Sequence, residues 1–330
     1  MEPVGRPSPA HAMLAEVSLL AALGVIWGIT FPVSRLAVAA GGNPFWLFVA
    51  DAGVATAVMA VIAAGLGGPR PGLRSALLSA ASGALLIGGI NLPLFWGEQF
   101  ATGGAASIVY ACSPAVSFGV LLLVRHHAPL RAVQAAGLAL GIAGVSVLAL
   151  GAGGHGAISN PWAMAAFGLG ATCQGVGAVL VGRLKPHGED RWGQTSQFAG
   201  AAVAGLVVAT LLAPTGRIPA TPAVIGSVAY FSLASLVLGY TIFFDLIRRA
   251  GAVTANLVTF LNPVVALAVG VVAFGEMFQS VELVGLGIVL LALVLLQPAF
   301  RFPTRRGPAR AGPPSAPVDP TRWARAPESP

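Results

Sequence analysis

Few side chains in this sequence can do acid–base chemistry, and two of those sit where water should be scarce. Asp51 lies within an apolar run spanning residues 45–66, about six residues from its start, or roughly 9–10 Å deep at 1.5 Å per residue. Placing a carboxylate at that depth in hydrocarbon costs about 2.5–3.5 kcal/mol, so something must offset it. Either Asp51 pairs with Arg35, which closes the preceding run on the same side, or it faces an internal cavity as a protonatable group. Glu98 follows the run 75–97 and stands seven residues after Asn91, hence on the same helical face. It is either an interfacial carboxylate reaching water or an outer gate or proton site. Asp245 precedes Arg248 and Arg249 by three and four positions, the spacing of an ion pair within one helix. Glu276 and Glu282 flank a short loop and read as solvated.

Uncharged polar residues form the second pattern. Asn256, Thr259 and Pro263 recur at i, i+3 and i+7, and Ser107, Tyr110 and Pro114 repeat the same steps. A polar stripe on an apolar helix faces the interior of a bundle, not lipid. Such a stripe either lines a cavity or only ties helices together, at about 0.6 kcal/mol per hydrogen bond. Trp27, Asn91, Gln174, Tyr240, Phe244 and Asn262 join these as candidate cavity-lining, substrate-binding residues, and Pro114 and Pro263 are expected helix kinks. Gly137, Gly141 and Gly144, with Gly168, Gly170, Gly175 and Gly177, read as small-residue packing faces. The chain carries no phosphate-cradling GxxxxGK, no HExxH and no zinc-ligand spacing. No cofactor, metal or built-in ATPase is therefore expected. His11, His155 and His187 are isolated; the pair His126-His127 either senses pH or simply marks a membrane interface. Cys112 and Cys173 lie inside apolar runs and read as small helix residues.

The elements that position these groups follow from composition. Of 330 residues, 56% are hydrophobic and 9% charged, against about 25% charged in an average soluble domain. A surface so poor in charge suits lipid. Ten runs have the roughly 20 apolar residues a membrane helix needs: about 14–34, 45–66, 75–97, 102–124, 131–150, 161–182, 194–213, 223–246, 252–274 and 281–299. They lack the two-residue alternation of an outer-membrane barrel. The first run is too long and its small-residue pattern at Ala37 and Ala39 too late for a cleaved signal peptide. With the N-terminus placed inside, the inner segments hold Arg6, Arg70, Arg74, Arg125, Arg131, Arg183, Lys185, Arg191, Arg248, Arg249 and the six arginines after residue 300; only Arg35 and Arg217 fall outside. That asymmetry predicts cytoplasmic ends and an even number of crossings. Arginine outnumbers lysine 17 to 1, a bias of high-GC bacteria, so a bacterial inner membrane is the expected location. The Pro- and Arg-rich stretch 300–330 reads as a disordered cytoplasmic tail. No basic patch with interleaved aromatics exists, which excludes nucleic acid as a partner; the expected partners are the lipid bilayer and a small molecule, with the chain a monomer or homodimer.

The chain also repeats itself. Aligning Pro114 with Pro263 sets an offset of 149, which pairs Asn91 with Tyr240, Phe95 with Phe244, Ser107 with Asn256, Tyr110 with Thr259 and Ser113 with Asn262. Five crossings per copy is an odd number, so the copies must cross in opposite senses. Inverted repeats with a midplane site between them are typical of secondary transporters. The expected organisation is a cytoplasmic segment 1–13, a first repeat 14–150, an external linker 151–160 and a second repeat 161–299 before the tail.

At this point the sequence resembles the EamA family of the drug/metabolite transporter superfamily. The resemblance rests on Trp27-Gly28, Gly239-Tyr240, Gly251-Ala252, Asn262-Pro263-Val264, Gly275-Glu276 and Gly285, with Pro114 and Gly137 in the first half. It implies an all-α polytopic fold of ten transmembrane helices in two inverted five-helix repeats. It also implies a cavity lined by the first, third, fourth, sixth, eighth and ninth helices, and export of amino acids, related metabolites or drugs, with proton coupling. This chain has His126-His127 where the family usually has Glu, and Asp51 about where the family often has Arg. The expected activity is alternating-access secondary transport and not enzymatic; the other readings are a membrane assembly or sensory subunit without transport, and an intramembrane enzyme.

Overall fold

A computed structural model describes residues 9–101, 103–111, 113–124, 132–152, 160–184, 191–274 and 280–296. Most of the expected linker, the basic tail, Cys112, His126-His127, Lys185 and Glu276 lie outside the described residues. The helices are α1 (Pro9–Ala39), α2 (Pro44–Leu66), α3 (Leu73–Gly83), α4 (Gly89–Gly97), α5 (Gly103–Tyr110), α6 (Ser113–Val124), α7 (Ala132–Ala152), α8 (Pro161–Leu184), α9 (Arg191–Leu212), α10 (Pro222–Tyr230), α11 (Tyr240–Ala250), α12 (Ala252–Asn256), α13 (Val258–Phe274) and α14 (Ser280–Leu296). Among the described residues there is no strand. Among the described residues six stretches are long and apolar enough to cross a membrane: Met13–Ala39, Pro44–Leu66, Leu73–Gly97, Trp162–Arg183, Arg191–Leu212 and Pro222–Ala250. The other four expected runs fall on α5 with α6, on α7, on α12 with α13, and on α14.

Burial is inverted relative to a soluble protein. Val61, Leu66, Leu73, Leu211 and Val272 stand on the outside, while Asp51, Asn91, Glu98, Gln174, Gln194, Gln197, Asn256 and Asn262 are inside. That arrangement is stable where the surrounding solvent is hydrocarbon.

Several helix boundaries follow from capping chemistry. Asn43 accepts from the amides of Phe45 and Trp46 to start α2, with Pro44 at the first helical position, and Thr221 accepts from Val224 to start α10 ahead of Pro222. Two expected rods are interrupted by π-helical segments, Ala84–Gly88 between α3 and α4 and Phe231–Gly239 between α10 and α11. The 149-residue offset carries Ala84–Gly88 onto 233–237, inside the second segment. Two other rods are broken: the run 102–124 stops at Ala111 and restarts at Ser113, and the run 252–274 breaks at Leu257. Pro114 is therefore the second residue of α6, where a missing N–H has no helical partner to lose. Pro263 is inside α13.

Packing is set by small residues. A Cβ on Gly24 or Gly28 of α1 would stand 2.7 Å from Leu261 and 2.4 Å from Val265 of α13. On α8, Gly170 lies against Tyr110, Gly175 against Val116 of α6, and Gly177 against Leu86. The closest approach of one backbone to another joins α3 to α9, where a Cβ on Gly83 would meet the Gln197 carbonyl oxygen at 2.0 Å and one on Gly200 the Ala80 oxygen at 2.0 Å. Among the remaining pairs, α2 packs along α9 and α7 along α14.

Candidate transport cavity

Seven helical elements converge near the centre of the bundle. On α1, Trp27, Thr30 and Phe31 share one side; on α4, Ile90, Asn91 and Leu94 do. Tyr110 arrives from the end of α5, Gln174 from the middle of α8, Ser235 from the second π segment, Tyr240 from the start of α11 and Asn262 from α13. Together they line a narrow cavity of about 30 Å³. The lining draws on the first, third, fourth, sixth, eighth and ninth of the apolar runs read from the sequence.

Two of its hydrogen bonds depend on the π segments. A π turn bonds i to i+5 and locally displaces carbonyls from the α-helical ladder. Trp27 Nε1 donates to the Ser235 carbonyl at 3.2 Å, and Asn91 Nδ2 donates to the Ile87 carbonyl at 2.8 Å. Tyr110 donates its hydroxyl to the Ile90 carbonyl at 2.6 Å. Ser113 stands 3.1 Å from Gln174 Oε1 and donates to the Tyr110 carbonyl. Asn91 is also a hydrogen-bonding neighbour of the Tyr240 hydroxyl, so two residues paired by the repeat meet each other in space. The Asn262 Oδ1 oxygen is buried without a partner. Rings close the wall: Trp27 and Tyr240 centroids are 5.2 Å apart, and Phe31 and Tyr110 are 6.0 Å apart. Among the described residues no charged side chain lines the cavity.

Six residues singled out by sequence thus sit together: Trp27, Asn91, Tyr110, Gln174, Tyr240 and Asn262. Four stand elsewhere. Asn256 Nδ2 donates to Ser117 Oγ at 2.6 Å, and Thr259 donates to the Asn256 carbonyl at 2.7 Å, which ties α12 and α13 to α6. Ser107 is fully buried, and Phe244 packs behind Tyr240 at 5.7 Å between centroids. Five lining residues escaped the sequence reading. Thr30 and Phe31 follow Trp27 by three and four positions, and Leu94 follows Asn91 by three, so helical spacing could have found them. Ile90 gives no such signal. Ser235 precedes Tyr240 by five positions, which does not share an α-helical face; the π segment re-aims it.

The two carboxylates are outside this cavity but inside the protein. Asp51 is 1% exposed and Glu98 3% exposed. The Arg35–Asp51 pairing does not form: among the described residues the ion pairs are those of Asp245 with Arg248 and with Arg249 Nε, the latter at 2.6 Å. Arg35 instead sits on the exposed side of α1. Glu98 is not an interfacial carboxylate, because it caps α4 under cover and accepts from Ser34 Oγ at 2.8 Å. Asp51 borders a second crevice with Ser34, Leu47, Phe95, Ser227 and Phe231, and its Oδ1 has no partner. Cys173 is half-buried against Gly89. Among the described residues no group of His, Cys, Asp and Glu could hold a metal ion.

Comparison with known proteins accords with this arrangement. The profile of the EamA-like transporter family matches residues 14–150 and again 162–297. YedA, an uncharacterised inner membrane transporter of Escherichia coli, is 27% identical over 287 residues, 84% of this chain and 89% of that one. A probable terminal-alkyne amino-acid exporter of Streptantibioticus cattleyicolor is 29% identical over 265 residues, 79% of this chain and 86% of that one. A solved crystal structure shares the fold, with a TM-score of 0.69 over 89% of this chain and 99% of its own, at 16% identity. Two matches to one family profile, in a helical bundle with an apolar exterior, make this multi-pass inner-membrane protein a member of the EamA-like transporter family.

Proposed function

We propose that the chain is a secondary exporter of small, net-neutral metabolites of the amino-acid type, working by alternating access around the central cavity. The observation that carries this reading is the cavity itself, an uncharged polar pocket walled by aromatic rings and fed by helices from both family-matched halves. The amides of Asn91, Gln174 and Asn262 offer both donors and acceptors, which suits a zwitterion whose charges cancel. The rings of Trp27, Phe31, Tyr110 and Tyr240 suit an apolar side chain. A cationic drug would find no carboxylate here to replace its water. In this reading ten crossings form two oppositely inserted copies, with both ends in the cytoplasm and one copy rocking against the other. The two family matches and the matched positions of the π segments support the duplication, and the arginine distribution supports the orientation.

Two assays test it in sequence. A strain overexpressing the chain should resist growth-inhibitory amino-acid analogues. The purified protein in liposomes should then exchange radiolabelled L-phenylalanine by counterflow, with no response to a quaternary ammonium competitor. Exchange of the cation in place of the amino acid would defeat the neutral-substrate reading, and the absence of any exchange would defeat transport through this cavity.

A further inference from the structure

Polar side chains also collect at a second place, outside the cavity, where α3 crosses α9. Ser75, Ser79 and Ser82 recur at i, i+4 and i+7 along one face of α3, and Gln194 and Gln197 stand three apart on α9. Ser79, Ser82, Gln194 and Gln197 are buried, Gln197 being 1% exposed. The serine stripe starts beside Arg74 and ends where Gly83 leads into the first π segment. It covers about 10 Å of a hydrocarbon layer about 30 Å thick. Thr241 continues it toward the cavity. That residue donates to the Val237 carbonyl at 2.6 Å and stands 3.2 Å from Gln194 Oε1. It follows Tyr240, a cavity residue whose ring lies 6.3 Å from that of Phe198 on α9.

These groups are poorly matched to one another. Gln197 Nε2 donates to Ser82 Oγ across the crossing at 3.3 Å, longer than the usual distance of about 2.9–3.0 Å. Ser82 gives its own proton to the Ser79 carbonyl at 2.8 Å. Among the described residues Gln197 Oε1 and Ser75 Oγ are buried without a partner, and a buried polar atom left unbonded is costly. Close packing does not explain them. Gly83 and Gly200 bring the two backbones together, and alanine beside them would fit as well as serine. The 149-residue offset carries Ser75, Ser79 and Ser82 onto Val224, Val228 and Phe231. The equivalent place in the second copy is thus filled by apolar side chains, with Val224 and Phe231 fully covered. Polar side chains inside a membrane bundle mark a path for solute or ions. Two polar faces pressed together with bonding sites left over are what a wetted path becomes when it closes.

We propose that the α3–α9 crossing is the cytoplasmic entry route to the cavity, a polar track that parts to admit a small, net-neutral solute and closes dry behind it. This rests on the export reading above. The six side chains from Ser75 to Thr241 are all uncharged, and Arg74 and Arg191 stand exposed at the mouth. One wall belongs to the first copy and the other to the second, so rocking of one copy against the other opens the track.

Two measurements test the route, and the first needs no substrate. With Cys112 and Cys173 changed to alanine, Ser79→Cys and Gln197→Cys are each exposed in membrane vesicles to a small, charged, membrane-impermeant methanethiosulfonate. Pro69→Cys, in the loop before α3, marks the cytoplasmic side, and Leu78→Cys, on the exposed face of α3, marks the background. Both thiols of the crossing should react several-fold faster than Leu78→Cys, and from the same side as Pro69→Cys. Rates no faster than Leu78→Cys, or reaction only from the opposite side, overturn the route. The second compares binding with exchange of L-phenylalanine in Gln197→Leu and in the double variant Ser79→Ala, Ser82→Ala. Exchange should slow about tenfold or more as the track loses its hydrogen-bonding groups, while the midpoint of binding to the purified protein stays unchanged. Wild-type exchange in both variants, or binding lost together with exchange in a folded variant, overturns the route. Wild-type protein with no exchange sinks the export reading, and the thiol rates still decide whether the crossing opens.

Discussion

At the scale of the residue, the side chains that matter most here bond to backbone as well as to each other. Trp27 spans from α1 to the Ser235 carbonyl, and its ring also packs on Tyr240 at 5.2 Å and Phe243 at 5.0 Å. Removing the donor while keeping an aromatic ring isolates one of those roles. Trp27→Phe should cost about 1 kcal/mol of stability for the lost bond and leave a carbonyl free inside the cavity. Transport should fall several-fold, with apparent affinity weakened more than maximal rate, in a counterflow titration. Asn91 was legible because an amide in an apolar run needs a reason. The pairing of Asp51 with Arg35 was a fair expectation from spacing, but which way a side chain points depends on how α1 rotates against its neighbours, and spacing does not encode that.

At the scale of the element, the third and eighth helical rods are the informative ones. Each was readable as a single apolar run, and each proves to be α–π–α. No residue type marks a π turn, because the extra residue is accommodated by tertiary partners such as Trp27, which bonds the Ser235 carbonyl, not by propensity. The same rods show why glycine is required at one crossing. A Cβ on Gly83 would stand 2.0 Å from the Gln197 oxygen, whereas one on Gly53 would meet nothing within 4 Å. Gly83→Ala should therefore destabilise by about 1–3 kcal/mol, read as a lower thermal midpoint of the purified protein. Gly53→Ala should be neutral or slightly stabilising, since alanine is the better helix former. A shared loss in both variants would mean that the close approach of α3 to α9 is not what limits stability.

At the scale of the whole molecule, the fold keeps polar groups inside and apolar groups outside, and the proposed orientation puts 16 basic residues on the inner side and 2 on the outer. A reporter fused to the C-terminus should be active only when it is a cytoplasmic type: a fluorescent protein should shine, and alkaline phosphatase should be silent. The opposite result would reverse the orientation.

Composition and run length were enough to determine a helical membrane protein, because hydropathy is local, internal similarity pointed to a duplicated chain, and the transporter family was legible only as a resemblance carried by motifs such as Trp27-Gly28 and Asn262-Pro263-Val264. Proline positions suggested where rods would be interrupted, although the break ahead of Pro114 places that residue in a first turn instead of a kink. Six cavity residues were legible as polar or aromatic exceptions on apolar helices. What only the tertiary structure decided was which exceptions meet. Asn256 and Thr259 bond across helices, Ser235 is turned inward by a π segment, and Ser34 bonds Glu98 while lining one crevice with Asp51. Those outcomes depend on helix rotation and crossing, which are set by contacts between residues far apart in sequence and so leave no local trace.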